Sequence, residues 1–340
     1  MLKKIIYILF VVGGILLVAY FLQPLKKGSG LDATTRYEIV GDWLHLPAGL
    51  LLGNPTGIAI DTNQHIVVFH RADRRWPLVG SMPGTPIKHH TILVIHKETG
   101  ELIKSWGENI FIMPHGLKVD KENNIWLTDV GLQQVFKFDP DGKLLMTVGE
   151  ARIAGNDRTH FDMPTDIAIE ADGSFYVSDG YGNSRIVKFS PAGKYLFEFG
   201  KKGTGTGEFE IPHSISLDSL GNLYVADREN ERIQVFDSLG KFKTQYADES
   251  FGAICAVAFD KHQSKLFAVD EYNFLKLRHR GSDIFVFDKK GKVQTRFGRS
   301  GDYTGPVCWY HDLAIDEEEN IFVGDILNNT IVKFKNQSSK

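Results

Sequence analysis

The chain is written in short apolar runs broken by Gly, Asn and Asp. One run recurs with an acid at its end: Gly57–Asp61 (GIAID), Gly116–Asp120 (GLKVD), Asp166–Glu170 (DIAIE), Ser214–Asp218 (SISLD), Ala256–Asp260 (AVAFD) and Asp312–Asp316 (DLAID). A polar turn and a second run follow each copy, centred on Ile66–Phe69, Ile125–Thr128, Phe175–Ser178, Leu223–Ala226, Leu266–Val269 and Ile321–Gly324. A third run comes next (Ile186–Phe189, Ile233–Phe236, Ile284–Phe287, Ile331–Phe334), and a fourth closes on Gly107, Gly149, Gly200 or Gly298. Alternation over a few residues between turn signals marks strands, not helices. Four strands per unit, repeated at roughly 40–50 residues, predict an all-β, six-bladed β-propeller. The sixth unit stops after three strands near Phe334, while Tyr37–Val40 and Trp43–Leu46 read as an outer strand. That early segment is expected to complete the sixth blade, because closing the ring removes unpaired edges.

Residues 1–30 break the pattern. After Lys3 and Lys4, Ile5 to Leu22 carries no charge. As a helix it would span about 27 Å, enough for a bilayer core. Ala19-Tyr20-Phe21 is a poor cleavage site, so the segment reads as an uncleaved anchor. The expected organisation is a transmembrane signal anchor over 1–22, a tether over 23–36 and the propeller over 37–340. Lys26 and Lys27 on the far side weaken the positive-inside signal, and the propeller is expected to face the extracytoplasmic side. The net charge of -3 argues against a nucleic-acid partner. Cys255 and Cys308 either pair or stay free, and no CxxC motif is present. Two long insertions, Arg71–Thr91 and Phe274–Gly281, expand the first and fifth units. Long loops on a rigid ring often carry function.

The residue before each first strand reads Thr56, His115, Thr165, His213, Cys255, His311. Histidine occupies alternate units, 98 residues apart each time. One histidine in a repeat is usually a structural hydrogen bonder. Three in strict alternation, on the strands nearest the axis, converge from directions about 120° apart in a sixfold ring. Three neutral imidazoles with an open position suit a catalytic zinc, and other divalent first-row ions as well. The residues after the second strands (Arg71, Val130, Gly180, Arg228, Glu271, Ile326) should open onto the same mouth, with Tyr181 next to Gly180. Arg71 and Arg228 could bind a carboxylate. Nearby positive charge would favour the phenolate of Tyr181 as a general base. Asp129, Asp179, Asp227, Asp270 and Asp325 close the second strands in five units and read as architectural; His70 takes that place in the first.

Phe69–Asp73 (FHRAD), Met113–Leu117 (MPHGL), Ser178–Arg185 (SDGYGNSR), Pro212–Ser214 (PHS) and Ala226–Asn230 (ADREN) together resemble the peptidyl-α-hydroxyglycine α-amidating lyase family, a branch of the NHL-repeat propellers. The match runs from about Asn54 to Phe334. The resemblance implies a lyase that splits a C-terminal α-hydroxyglycine, as peptide or small molecule, into an amide and glyoxylate. It implies a catalytic zinc on His115, His213 and His311, Tyr181 as base, and Arg71 and Arg228 at the substrate. It further implies a structural calcium held by the carbonyls of Ile58 and Leu117 and by Asp312. The chain departs from the family pattern at Gly182, where a cysteine is common, and at Trp309-Tyr310, where His311 lacks a preceding proline. A non-enzymatic scaffold binding protein or glycan is one competing reading. A lactonase or esterase is the other, although such enzymes more often use carboxylates around calcium.

Overall fold

The computed structural model describes residues 36–77, 81–271, 281–299 and 306–339. Six four-stranded antiparallel sheets form the blades of a propeller. Five blades are continuous in sequence. The sixth pairs Tyr37–Val40 with Thr330–Asn336, in register from Tyr37 opposite Asn336 to Val40 opposite Lys333. The early segment therefore closes the ring as expected, although only its first part is a strand. Trp43 instead packs against Phe322, and its indole N–H donates to the Lys97 carbonyl at 2.9 Å. The expected anchor, and the insertion residues Arg278, His279 and Arg280, lie outside the described residues. Among the described residues no helix is long and apolar enough to cross a membrane.

Alternation along each strand gives every blade two apolar faces, and each face is buried against a neighbouring blade. Phe69 and Val67 of the first blade pack with Leu117, Leu127 and Phe136 of the second. At the seam, Ile58, Ile66 and Val68 of the first blade pack with Ala314, Phe322 and Ile331 of the sixth. The recurrent acid that ends the first strand caps the next turn. Asp61, Asp120, Asp218 and Asp316 each accept the backbone N–H four residues on, at 2.7–2.8 Å. The acids that close the second strands are architectural too. Asp129 accepts the N–H groups of Ile112, Met113, Gly131 and Leu132, and Asp227 pairs with Arg232 at 2.7 Å. Cys255 and Cys308 are buried free thiols, so the pairing alternative falls away.

One irregularity positions the site. In all six blades the register between the first and second strands slips near the start of the axial strand, at Thr56, His115, Thr165, His213, Cys255 and His311. A bulge there leaves one residue unpaired and re-aims its side chain. In every blade the slip takes in the row that holds the three histidines, and in the second blade it takes in Gly116 as well.

Candidate active site

His115, His213 and His311 meet on the axis. Their ring centroids form a near-equilateral triangle, 4.7 to 4.8 Å on a side. One ligand atom from each lies within 4.8 Å of the others. Each Nδ1 is bonded to the backbone carbonyl of the row residue in the next blade: Thr165 at 2.7 Å, Cys255 at 2.7 Å and Thr56 at 2.8 Å. A carbonyl can only accept, so Nδ1 carries the proton and Nε2 keeps its lone pair. The three non-histidine row positions thus orient the three histidine positions. Burial pushes all three imidazoles well below their usual range, His311 to about 3, and neighbouring positive charge adds to the effect. Neutral rings, fixed tautomers and three free nitrogens facing one point are what a divalent metal requires. The residues present therefore fit zinc.

Tyr181 stands over this triangle. Its hydroxyl is 3.0 Å from Nε2 of both His115 and His213 and 3.4 Å from an Arg228 guanidinium nitrogen. Burial pushes the phenol up to about 12, against the pull of Arg228 and Arg71. The two arginines alone therefore do not make it a base at neutral pH. The expected phenolate would therefore depend on a further positive charge at the imidazoles.

The arginines differ. Arg228 is held by Glu229 at 3.0 Å and Glu271 at 3.5 Å, and it lies over the Tyr181 ring. Arg71 is 3% exposed, donates from Nε to the Pro114 carbonyl at 3.0 Å and lies over Trp76. Among the described residues no carboxylate pairs with it, and burial lowers its pKa to about 10, so it remains a cation. Trp76 comes from the long first insertion and packs on Tyr181, with ring centroids 5.0 Å apart. Met82 from the same loop joins Ile112, Met113 and Val130 in an apolar wall.

Sequence reasoning placed Glu271 on the mouth but gave it no task. Its carboxylate accepts from the Trp309 indole and faces Arg228 and Cys255. An acid in a row of otherwise non-acidic residues was the signal. Gly182 is also accounted for: a Cβ there would fall 2.1 Å from the Asp162 carboxylate carbon.

The expected calcium position has a different character. The Asp312 carboxylate accepts the Ile58 N–H at 2.8 Å, and Lys118, next to Leu117, is paired with Asp166 at 2.9 Å.

An NHL-repeat family model matches residues 161–189 and 209–236. The chain is 37% identical over 307 residues to "Peptidylglycine alpha-amidating monooxygenase" of Rattus norvegicus, covering 84% of this chain and 30% of that protein. It thus spans about a third of that relative's length. It is 30% identical over 326 residues to "Probable peptidyl-alpha-hydroxyglycine alpha-amidating lyase pgal-1" of Caenorhabditis elegans, covering 92% of this chain and 91% of that protein. Among solved structures, one titled "Streptogramin B lyase structure" aligns with a TM-score of 0.56 at 13% identity, over 88% of this chain and 97% of that one; the likeness shows a shared fold. Site geometry and near-full-length similarity together place this chain in the peptidyl-α-hydroxyglycine α-amidating lyase family, a family of lyases.

Proposed function

We propose that this chain is a zinc-dependent carbon–nitrogen lyase that converts a C-terminal α-hydroxyglycine, on a peptide or a smaller acyl group, into the amide and glyoxylate. The observation that carries the reading is the triangle of neutral imidazoles, two of which, His115 and His213, hold the Tyr181 hydroxyl between their free nitrogens. His115, His213 and His311 would hold the zinc, which would supply a Lewis acid toward the substrate hydroxyl. Tyr181 takes the hydroxyl proton. The carbon–oxygen double bond forms as the carbon–nitrogen bond breaks, and the bonding pair leaves with nitrogen. Nitrogen then takes a proton, giving amide and aldehyde.

Arg71 is the group best suited to the substrate carboxylate, because it is a buried cation whose counter-charge the substrate would bring. Arg228, already held by Glu229 and Glu271, serves chiefly to fix Tyr181 while lining the same substrate site. Trp76 and the methionine-containing wall offer an apolar seat for the residue before the hydroxyglycine. Three imidazoles are a poor match for ester or lactone hydrolysis built on carboxylates around calcium.

The test is His213→Ala. The variant should stay folded by circular dichroism but lose zinc by elemental analysis and lose glyoxylate release. Full zinc content in that variant would refute the assignment. We further propose that residues 1–22 anchor the chain in a membrane with the propeller on its extracytoplasmic side. Protease treatment of intact cells tests this, and a protected propeller would count against it.

A further inference from the structure

The axial strands carry a second charged cluster beyond the imidazoles. Asp166 and Asp312 occupy the row just past the histidines, on opposite blades of the ring, and the charge of Asp166 reaches Asp312. Both carboxylates reach across to the first strand of the next blade, Asp166 to Ser214 and Ile215 and Asp312 to Ile58. Two residues further along each strand stand Ala59, Lys118, Ala168, Ser216, Ala258 and Ala314. Five are small, and Lys118 is the one long side chain among them. Its ammonium lies 2.9 Å from Asp166 Oδ2 and within electrostatic reach of Asp312. Its side chain keeps 24% of its surface accessible.

The other contacts of the two acids are also proton donors. Asp166 Oδ2 accepts from the Ser214 hydroxyl at 2.8 Å and the Ile215 N–H at 3.0 Å, and Oδ1 accepts the Ile167 N–H at 2.9 Å. Asp312 Oδ2 accepts the Ile58 N–H at 2.8 Å. Calcium takes six to eight oxygen ligands and needs their lone pairs directed at it. Here Asp166 and Asp312 turn carboxylate lone pairs to N–H and O–H groups, and an ammonium lies 2.9 Å from Asp166. A divalent ion beside Lys118 would meet a like charge in a low-dielectric interior. The residues present do not fit calcium.

We propose that the Lys118 ammonium is the axial cation of this propeller, standing in place of the structural calcium that the family resemblance implies, so that the ring needs no divalent ion below its histidines. The inference is independent of the lyase reading, and no readout in its test uses turnover.

The experiment uses the full chain, purified in detergent and saturated with zinc so that the histidine site stays constant. Wild type should retain no calcium after dialysis, by elemental analysis, and should melt at the same temperature with and without millimolar calcium. Lys118→Ser removes the ammonium and leaves both carboxylates. It should melt lower without calcium and recover by about 4 °C or more in millimolar calcium, as expected when an ion binds the native state alone. Lys118→Arg, which keeps the charge, should stay insensitive. One retained calcium per wild-type chain, or a calcium-dependent rise in wild-type melting, overturns the proposal. So does a folded Lys118→Ser protein that gains no response. Should Lys118→Ser fail to fold at all, the wild-type calcium content decides between the two.

Discussion

Replacing each arginine at the mouth by methionine should separate their tasks, because only one has its counter-charge built in. Arg71→Met removes a buried cation that pairs with no carboxylate among the described residues. It loses the bond to the Pro114 carbonyl and the contact with Trp76, each worth about 1 kcal/mol. It also relieves the cost of burying an uncompensated charge, which is of similar or larger size. Its stability should therefore stay within about 1 kcal/mol of wild type. Arg228→Met leaves Glu271, 7% exposed, without its cation. Breaking a buried pair from one side costs about 3 kcal/mol, which lowers the melting temperature of a chain this long by about 5 °C. Catalysis should divide differently. If Arg71 binds the substrate carboxylate, its loss raises KM and lowers kcat/KM on the order of 10²- to 10³-fold. Arg228→Met should act more on kcat, through the placing of Tyr181. Thermal melts and a glyoxylate-release assay on both variants check this. Equal melting temperatures, or an unchanged KM in Arg71→Met, would refute the division.

Other outcomes follow from the same geometry. Tyr181→Phe should keep the ring packing against Trp76 and His115 but lower kcat by about 10²- to 10⁴-fold, the range of a general base; zinc content should not change. Gly116→Ala would put a Cβ 2.4 Å from the Thr165 carbonyl oxygen, the acceptor that orients His115. Zinc affinity should fall about 10- to 100-fold, measured by competition with a chromogenic chelator. His70 is fully buried, and burial lowers its pKa to about 3. The unfolded chain then binds more protons than the native state as pH falls below about 6.5, so stability drops with acid. At pH 5 the loss is about 2 kcal/mol. His70→Asn should flatten the denaturation midpoint by that amount between pH 7.5 and 5.

Much of this molecule is legible in one dimension. A strand's alternation is local, so the repeat could be counted and the blades assigned from Gly57–Asp61 and its five counterparts. Ring closure by Tyr37–Val40 followed from the missing strand of the sixth unit. The histidine row was visible because a sixfold repeat converts a 98-residue spacing into an angle. What the sequence left undecided depends on contacts between blades. Each His Nδ1 is fixed by a carbonyl in the next blade, and a backbone carbonyl has no residue-type signature. For His311 that carbonyl belongs to Thr56, across the seam of the ring. The split between Arg71 and Arg228 rests on where one carboxylate, Glu271, comes to lie. Lys118 reads as an ordinary polar residue in a strand until the ring sets Asp166 and Asp312 opposite one another. Periodicity is a property of neighbours along the chain and fixes the wheel. Pairing of charge is a property of neighbours in space, and only the closed ring brings those neighbours together.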